Sequence, residues 1–273
     1  MIRRTTVLFV LWASVATAQP MPLPIVVQGA MTIEVQDLAA RLTGATEENI
    51  GGWVFWRGTV DDYPVIVEKT QKGVANAAAA TALVIDKFHP RAIINQGTAG
   101  GHDPALKVYD IVIGTSAIST GAFRSQPRRA GQGSNPLEWR SLDLTAADGS
   151  AGNDPNARRV AKFVADEHLL AAARQVKSTY TRGKVVEGVL ATSDMWNDEI
   201  DLIARFHNEY GTSAEEMETA SAAQVAKQLN VPFLGIRVLS DNITNDGAYD
   251  PKTAAACEDY VWQVLKAYLA GSR

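Results

Sequence analysis

The largely apolar run Phe233 to Leu239, closed by Ser240-Asp241, lies between two helical patterns, roughly Ala220 to Leu229 and Pro251 to Leu269. Strand and helix alternating in this way make the chain an α/β protein. In such folds the carboxyl ends of strands and the amino ends of helices meet on one edge of the sheet, where ligands bind. The run Ala214-Glu215-Glu216-Met217-Glu218-Thr219-Ala220 is read as the opening of the first helix, which brings Glu218 and Asp241 to that edge. A carboxylate there can anchor sugar hydroxyls and a carboxylic acid can protonate a leaving group, so the pair suits glycosidic-bond chemistry. The same residues also suit a plain helix-dipole complement and a turn, and composition does not decide between the two.

Upstream, Ile25-Val26-Val27 is a strand ending at Gly29-Ala30, and the spacing of Val35, Leu38, Ala39 and Leu42 predicts a helix over Thr32 to Leu42. Trp53 to Val60 and Tyr63 to Glu68 read as strands joined by the turn Asp61-Asp62. The Ala-rich segment Val74 to Phe88 reads as a helix packed closely on a sheet. Ala92 to Asn95 is a buried-type strand running into Gly97-Thr98-Ala99-Gly100-Gly101, and Ile111 to Ala117 is another. From Phe123 to Asn156 periodicity fades, so an insertion over the surface is expected there, a lid or interface arm. A helix from Ala157 to Gln175 and a strand from Val185 to Thr192 follow. With no internal repeat and no linker, residues 19–273 read as a single domain.

The first 18 residues stand apart. Arg3-Arg4, the short apolar stretch Val7 to Ala13 and the small residues Ala16-Thr17-Ala18 have the order of a secretory signal peptide, which places the mature protein in the periplasm or outside the cell. Cleavage after Ala18 removes two basic residues and no acid, shifting the formal charge from −4 to −6. An acidic chain without a basic run is a poor nucleic-acid binder, and no later segment is apolar for long enough to span a membrane. The lone Cys257 has no disulfide partner in the chain and reads as a small packed side chain. His89, His102, His168 and His207 lack metal-ligand spacing, so no metal is expected.

Four separated blocks fall in one order: Gly29-Ala30-Met31-Thr32-Ile33-Glu34-Val35, Ile93 through Gly101, Glu216-Met217-Glu218, and Val231-Pro232-Phe233 through Arg237 to Ser240-Asp241. In that order and spacing the chain resembles the bacterial 5′-methylthioadenosine/S-adenosylhomocysteine nucleosidases of the purine nucleoside phosphorylase superfamily. The resemblance implies a three-layer α/β/α sandwich with a central mixed, partly barrel-like sheet, usually a homodimer. It also implies hydrolysis of the bond between adenine and ribose in a small nucleoside, without a cofactor. Breaking that bond builds positive charge on the sugar and negative charge on the purine, so an acid is needed at the base and polar or anionic groups around the ribose.

By the resemblance, Asp241 matches the acid that protonates the purine at N7, and Glu34 the carboxylate that positions and deprotonates the attacking water. Glu218, with Glu216 in the same motif, matches the acceptor for ribose hydroxyls, and Met217 lies against the sugar. Arg237 supports the water and carboxylate network, Ser240 orients the acid, and Thr98 stands where a serine is usual. Trp196 matches an aromatic that stacks on adenine, with Asn197 beside the base. Strand alternation puts Arg237, Leu239 and Asp241 on one face. Ser193 and Asn197 depart from a usual glycine and a usual apolar residue, so the resemblance leaves base selectivity open.

The phosphorylases of the superfamily cleave the same bond with phosphate, which needs fixed cations. Where they carry arginines this chain has Met31-Thr32-Ile33-Glu34 and Asn95, which favours water. Two alternatives stand beside the hydrolase: a phosphorylase recruiting Arg128, Arg129 or Arg140, and a periplasmic nucleoside-binding protein without turnover.

Overall fold

The computed structural model describes residues 22–142, 144 and 161–271. The proposed signal peptide and part of the insertion lie outside the described residues. In chain order the elements are β1 (Ile25–Gly29), α1 (Thr32–Ala40), β2 (Thr43–Ile50), β3 (Trp53–Val60), β4 (Tyr63–Lys69), α2 (Val74–Phe88), β5 (Ala92–Gly101) and β6 (Ile111–Ser119). They continue with the short β7 (Phe123–Arg124) and β8 (Arg140–Ser141), then β9 (Lys162–Val164), α3 (Glu167–Gln175), β10 (Val185–Thr192), α4 (Ile200–Tyr210), β11 (Thr212–Glu216), α5 (Thr219–Gln228), β12 (Phe233–Asp241) and α6 (Thr253–Ala270).

The main sheet runs β11-β10-β6-β12-β5-β1-β4-β3-β2, with β9 added to β6. The sheet is mixed: β10, β11, β5, β1 and β4 join parallel neighbours, while β2–β3–β4 and β9–β6 are antiparallel, β12 meets β6 antiparallel, and β11 also pairs antiparallel with β5 through Ala214 to Gly101 and Glu215 to Gly100. That last pairing curls one half of the sheet into a partial barrel and draws the carboxyl ends of β5, β11 and β12 together. Alternate strand residues feed two cores. Ile25, Val27 and Ile94 pack with α1, α3 and α6 on one face, while Val26 and Ile93 pack with α2 and α5 on the other. The layering is therefore α/β/α, as the resemblance implies.

Residue choice explains the fit of these layers. Buried Ala77, Ala80, Ala222, Ala223 and Ala226 give α2 and α5 a low-relief contact, so the two helices lie close on the sheet. Asp61 and Asp62 both take positive φ, 49° and 67°, the geometry of a two-residue hairpin joining β3 to β4.

Several expectations need correction. Glu215 and Glu216 close strand β11, and Glu218 only precedes α5, so the carboxylate cluster is a strand end and turn rather than a helix opening. The helix expected from Ala157 starts at Glu167, because Asp166 caps it by accepting from the His168 and Leu169 N–H groups and Lys162–Val164 is taken up as an edge strand on β6. Strand β2 and helix α4 were not foreseen. The described part of the insertion is a small hairpin: β7 pairs with β8, Arg205 of α4 donates to the Pro136, Leu137 and Trp139 carbonyls, and Phe123 stacks on Phe206.

Candidate active site

A cavity of about 700 Å³ opens at the carboxyl edge of the sheet. Its walls bring together Glu34, Thr98, Trp196, Asn197, Glu216, Met217, Glu218, Ser240 and Asp241 from five separate parts of the chain. Of the residues expected at the site, Arg237 alone does not line it.

Glu34 enters from the first turn of α1. Its Oε2 accepts from the Ala30 and Met31 N–H groups, both at 3.0 Å, and its Oε1 accepts from the Thr98 N–H at 2.8 Å and the Thr98 hydroxyl at 2.9 Å. Two of these donors cap the helix end and two come from β5, so the carboxylate rivets α1 to the strand. The riveting needs Gly97: a Cβ there would stand 2.6 Å from Glu34 Oε1.

Asp241 reaches the pocket differently. Against β5, Leu239 is opposite Ala99 and Asp241 is opposite Gly100, so Ser240 is an extra residue in a β-bulge. The bulge breaks the alternation expected from Arg237 to Asp241. Leu239 stays in the core, while Ser240 and Asp241 both face the cavity. The Ser240 hydroxyl donates to Asp241 Oδ1 at 2.6 Å and to the Ala99 carbonyl at 3.2 Å. Burial raises the Asp241 pKa above the ordinary carboxylate range; the Ser240 hydrogen bond opposes this and nearby Asp198 adds to it.

Behind the pocket, Arg237 is 1% exposed. It donates to the Asn95 and Ile236 carbonyls, to Asn95 Oδ1 at 2.6 Å and to Glu216 Oε2 at 2.6 Å. Glu216 is further held by Thr192 Oγ1 and by the N–H groups of Glu218 and Thr219. Its carboxylate is thus committed to holding the turn that presents Met217 and Glu218. Glu218 accepts the Gly73 N–H at 2.8 Å, with Arg237 Nη2 3.9 Å from its other oxygen. Burial, then the Glu216 charge, push Glu218 upward. Trp196 is 60% exposed at the cavity and meets Tyr249 edge-on, centroids 5.9 Å apart.

One wall went unforeseen. Glu215 Oε1 accepts from Ser193 Oγ at 2.8 Å and Thr120 Oγ1 at 3.1 Å. Its Oε2 accepts from Asn197 Nδ2 at 3.2 Å and lies 3.1 Å from His102 Nε2. Burial opposes ionisation, but His102, Ser193 and Asn197 together hold the Glu215 pKa below its ordinary value. Ser193 and Asn197, the two departures from the family pattern, therefore answer one residue: a carboxylate in this wall needs polar neighbours. Adjacency was the only sequence signal, His102 following the glycine-rich end of β5 and Glu215 preceding Glu216. Lys72 and Tyr249 also line the cavity and had no signal at all.

This arrangement lines one cavity with an anchored carboxylate, a carboxyl whose pKa burial raises, a further acid and a thioether, a layout suited to splitting a bond between a base and a sugar. Residues 24–270 match the model of the Phosphorylase superfamily. A 5′-methylthioadenosine/S-adenosylhomocysteine nucleosidase of Shewanella baltica is 36% identical over 223 residues, covering 81% of this chain and 85% of the relative. The crystal structure of the corresponding nucleosidase from Neisseria meningitidis, in complex with methylthio-immucillin-A, superposes with a TM-score of 0.74 at 25% identity, covering 90% of this chain and 100% of that one. The nucleosidase from Colwellia psychrerythraea in complex with adenine gives 0.71 at 27% identity, covering 90% and 95%. The chain belongs to the Phosphorylase superfamily and, within it, to the family of 5′-methylthioadenosine/S-adenosylhomocysteine nucleosidases.

Proposed function

We propose that the protein hydrolyses the N-glycosidic bond of adenine nucleosides, releasing adenine and a ribose derivative. The observation that carries this reading is that Glu34 and Asp241 line one cavity, Glu34 anchored by donors from Ala30, Met31 and Thr98 and Asp241 raised by burial. Asp241 gives its proton to purine N7 as the bond breaks, Glu34 orients water and takes its proton, and Glu218 accepts from ribose hydroxyls while the sugar carries positive charge. Met217 lies against the sugar and Trp196 against the base.

Support for water over phosphate comes from the cation-poor design of the nucleophile side. Asn95 is occupied by Arg237, Gln28 and Thr219, and no arginine is among the described lining residues. Arg128, one of the three arginines named for a phosphorylase, pairs with Glu138 in the insertion. Product analysis decides the matter. Free adenine and ribose at equal rates with and without phosphate are expected. Ribose 1-phosphate as the main sugar product would assign a phosphorylase, and tight binding with no base release would assign a binding protein.

Two further parts of the proposal rest on sequence. The mature chain begins near Gln19 in the periplasm or outside the cell, which mass spectrometry of exported protein checks. It works as a homodimer, which sedimentation equilibrium checks; the exposed Trp196, Ile200 and Ile243 around the cavity support a covered rim.

A further inference from the structure

Among the cavity residues to which the proposed chemistry gives no part is Lys72. Lys72 is the only lysine or arginine among the described lining residues; apart from His102 and Tyr249, every other ionisable side chain there is a carboxylate. The Lys72 side chain is exposed and its ammonium has no carboxylate within salt-bridge distance among the described residues. Its backbone is nevertheless closely held. Gln71 and Gly73 on either side both take positive φ, 65° and 96°, and the Lys72 carbonyl accepts from Asn76 Nδ2 at 2.8 Å. A non-glycine residue such as Gln71 is strained at positive φ, so this turn is kept by its surroundings rather than by local preference.

The location of that turn follows from the proposed roles. Asp241 marks the purine and Glu34 the attacked face of the sugar, while Glu218 marks the ribose hydroxyls. Glu218 is held by the Gly73 N–H, one peptide bond from Lys72, so the lysine stands at the sugar end, where the 5′ substituent projects. A cavity walled by carboxylates repels a negative 5′ group, and an unpaired ammonium at that end reverses the effect locally.

Resting on the nucleosidase reading, we infer that Lys72 reads the 5′ substituent and selects an anionic one, a phosphate monoester or a carboxylate, over an apolar thioether. An ammonium is a point charge without a planar fork, so it accepts either anion.

The test compares wild type, Lys72→Met and Lys72→Arg on four ligands: adenosine, 5′-methylthioadenosine, adenosine 5′-monophosphate and adenosine 5′-carboxylate. Both adenine release and calorimetric binding are read. Wild type is expected to prefer the anionic ligands to the thioether. Lys72→Met should lower that preference by about tenfold, Lys72→Arg should keep most of it, and added salt should erode it in wild type. A loss confined to the phosphate or to the carboxylate assigns the anion. An anionic-to-thioether ratio that is the same in wild type and Lys72→Met, in turnover and in binding, overturns the inference. Absence of adenine release from all four ligands would overturn the hydrolase reading, and the binding ratios would still decide the role of Lys72.

Discussion

The Glu34 side and the Asp241 side of the cavity hold the same functional group in opposite ways. Glu34 is gripped by four donors from a helix end and a neighbouring strand, and a glycine is reserved so that the carboxylate can lie against the chain. Asp241 has a single side-chain donor, sits on a bulge, and is raised by burial. Four donors aimed at two oxygens fix a carboxylate in place, whereas burial of the half-buried, less supported Asp241 favours its protonated form. The difference teaches that support, rather than residue type, divides the labour between two acids in one pocket.

The sharpest way to break the comparison is to neutralise each side in turn. Asp241→Asn is expected to keep the fold and lose about 10² to 10⁴ in turnover, since an amide has no proton for the purine. Glu34→Gln is expected to lose turnover with nucleoside affinity largely kept, because Glu34 acts on water. Steady-state rates and calorimetric affinities measured together check both; near-normal hydrolysis by a folded Asp241→Asn protein would remove Asp241 from the acid role.

Gly97→Ala tests the grip on Glu34 without touching a carboxylate. The added Cβ would stand 2.6 Å from Oε1, so the side chain must swing away. A displacement of this size is expected to cost roughly 10²-fold in turnover. Full activity in a folded Gly97→Ala protein would show that the four-donor geometry is dispensable.

A smaller effect sharpens the other side. Asp241 must be protonated to act, so activity falls as pH rises through its raised pKa, placing the alkaline limb of kcat above the ordinary carboxylate range. The Ser240 hydrogen bond favours the ionised form, so Ser240→Ala is expected to move that limb to still higher pH. A limb that stays in place, or moves down, would remove Ser240 from the control of the acid.

Glu68 supplies a control away from the cavity. It is fully buried, accepts from Gln28 Nε2 at 2.8 Å, and burial pushes it up to about 8. The folded state binds this proton more tightly than the unfolded one, so its stabilising effect is full below the ordinary carboxylate range and is lost as pH rises towards about 8. Glu68→Gln is expected to leave kcat and its pH limb unchanged and to raise Tm at pH 9 relative to wild type, by about 2–4 °C per kcal/mol recovered. A Tm gain as large at pH 5 as at pH 9 would show that the proton is not the cause.

Much of the layered fold was legible because long apolar runs declare themselves. Helix α2 and strands β3 and β10 begin and end where their residues change character, Glu218 and Asp241 stood out as acids at element ends, and Glu34 was found through the family resemblance. Shorter or more polar elements did not declare themselves: β2 is mostly exposed Thr, Glu and Asn, and α4 buries only Leu202 and Phe206. Their stability comes from neighbours. Pairing with β3 secures β2, and the insertion hairpin packs on α4.

The sequence by itself determined which segments bury, and it placed acids and small residues at the strand ends, since burial and local backbone freedom are properties of neighbouring residues in the chain. Tertiary structure alone decided the chemistry of each acid. The donors that grip Glu34 include Thr98, 64 residues away, and the N–H that holds Glu218 belongs to Gly73, 145 residues away. The bulge that turns Asp241 into the cavity exists only against the register of β5, and the polar neighbours of Glu215 come from the turn beyond β10 and the loops after β5 and β6. Hydrogen-bond support and desolvation depend on which distant groups arrive at a few ångströms, and that is fixed by register and packing rather than by sequence neighbours.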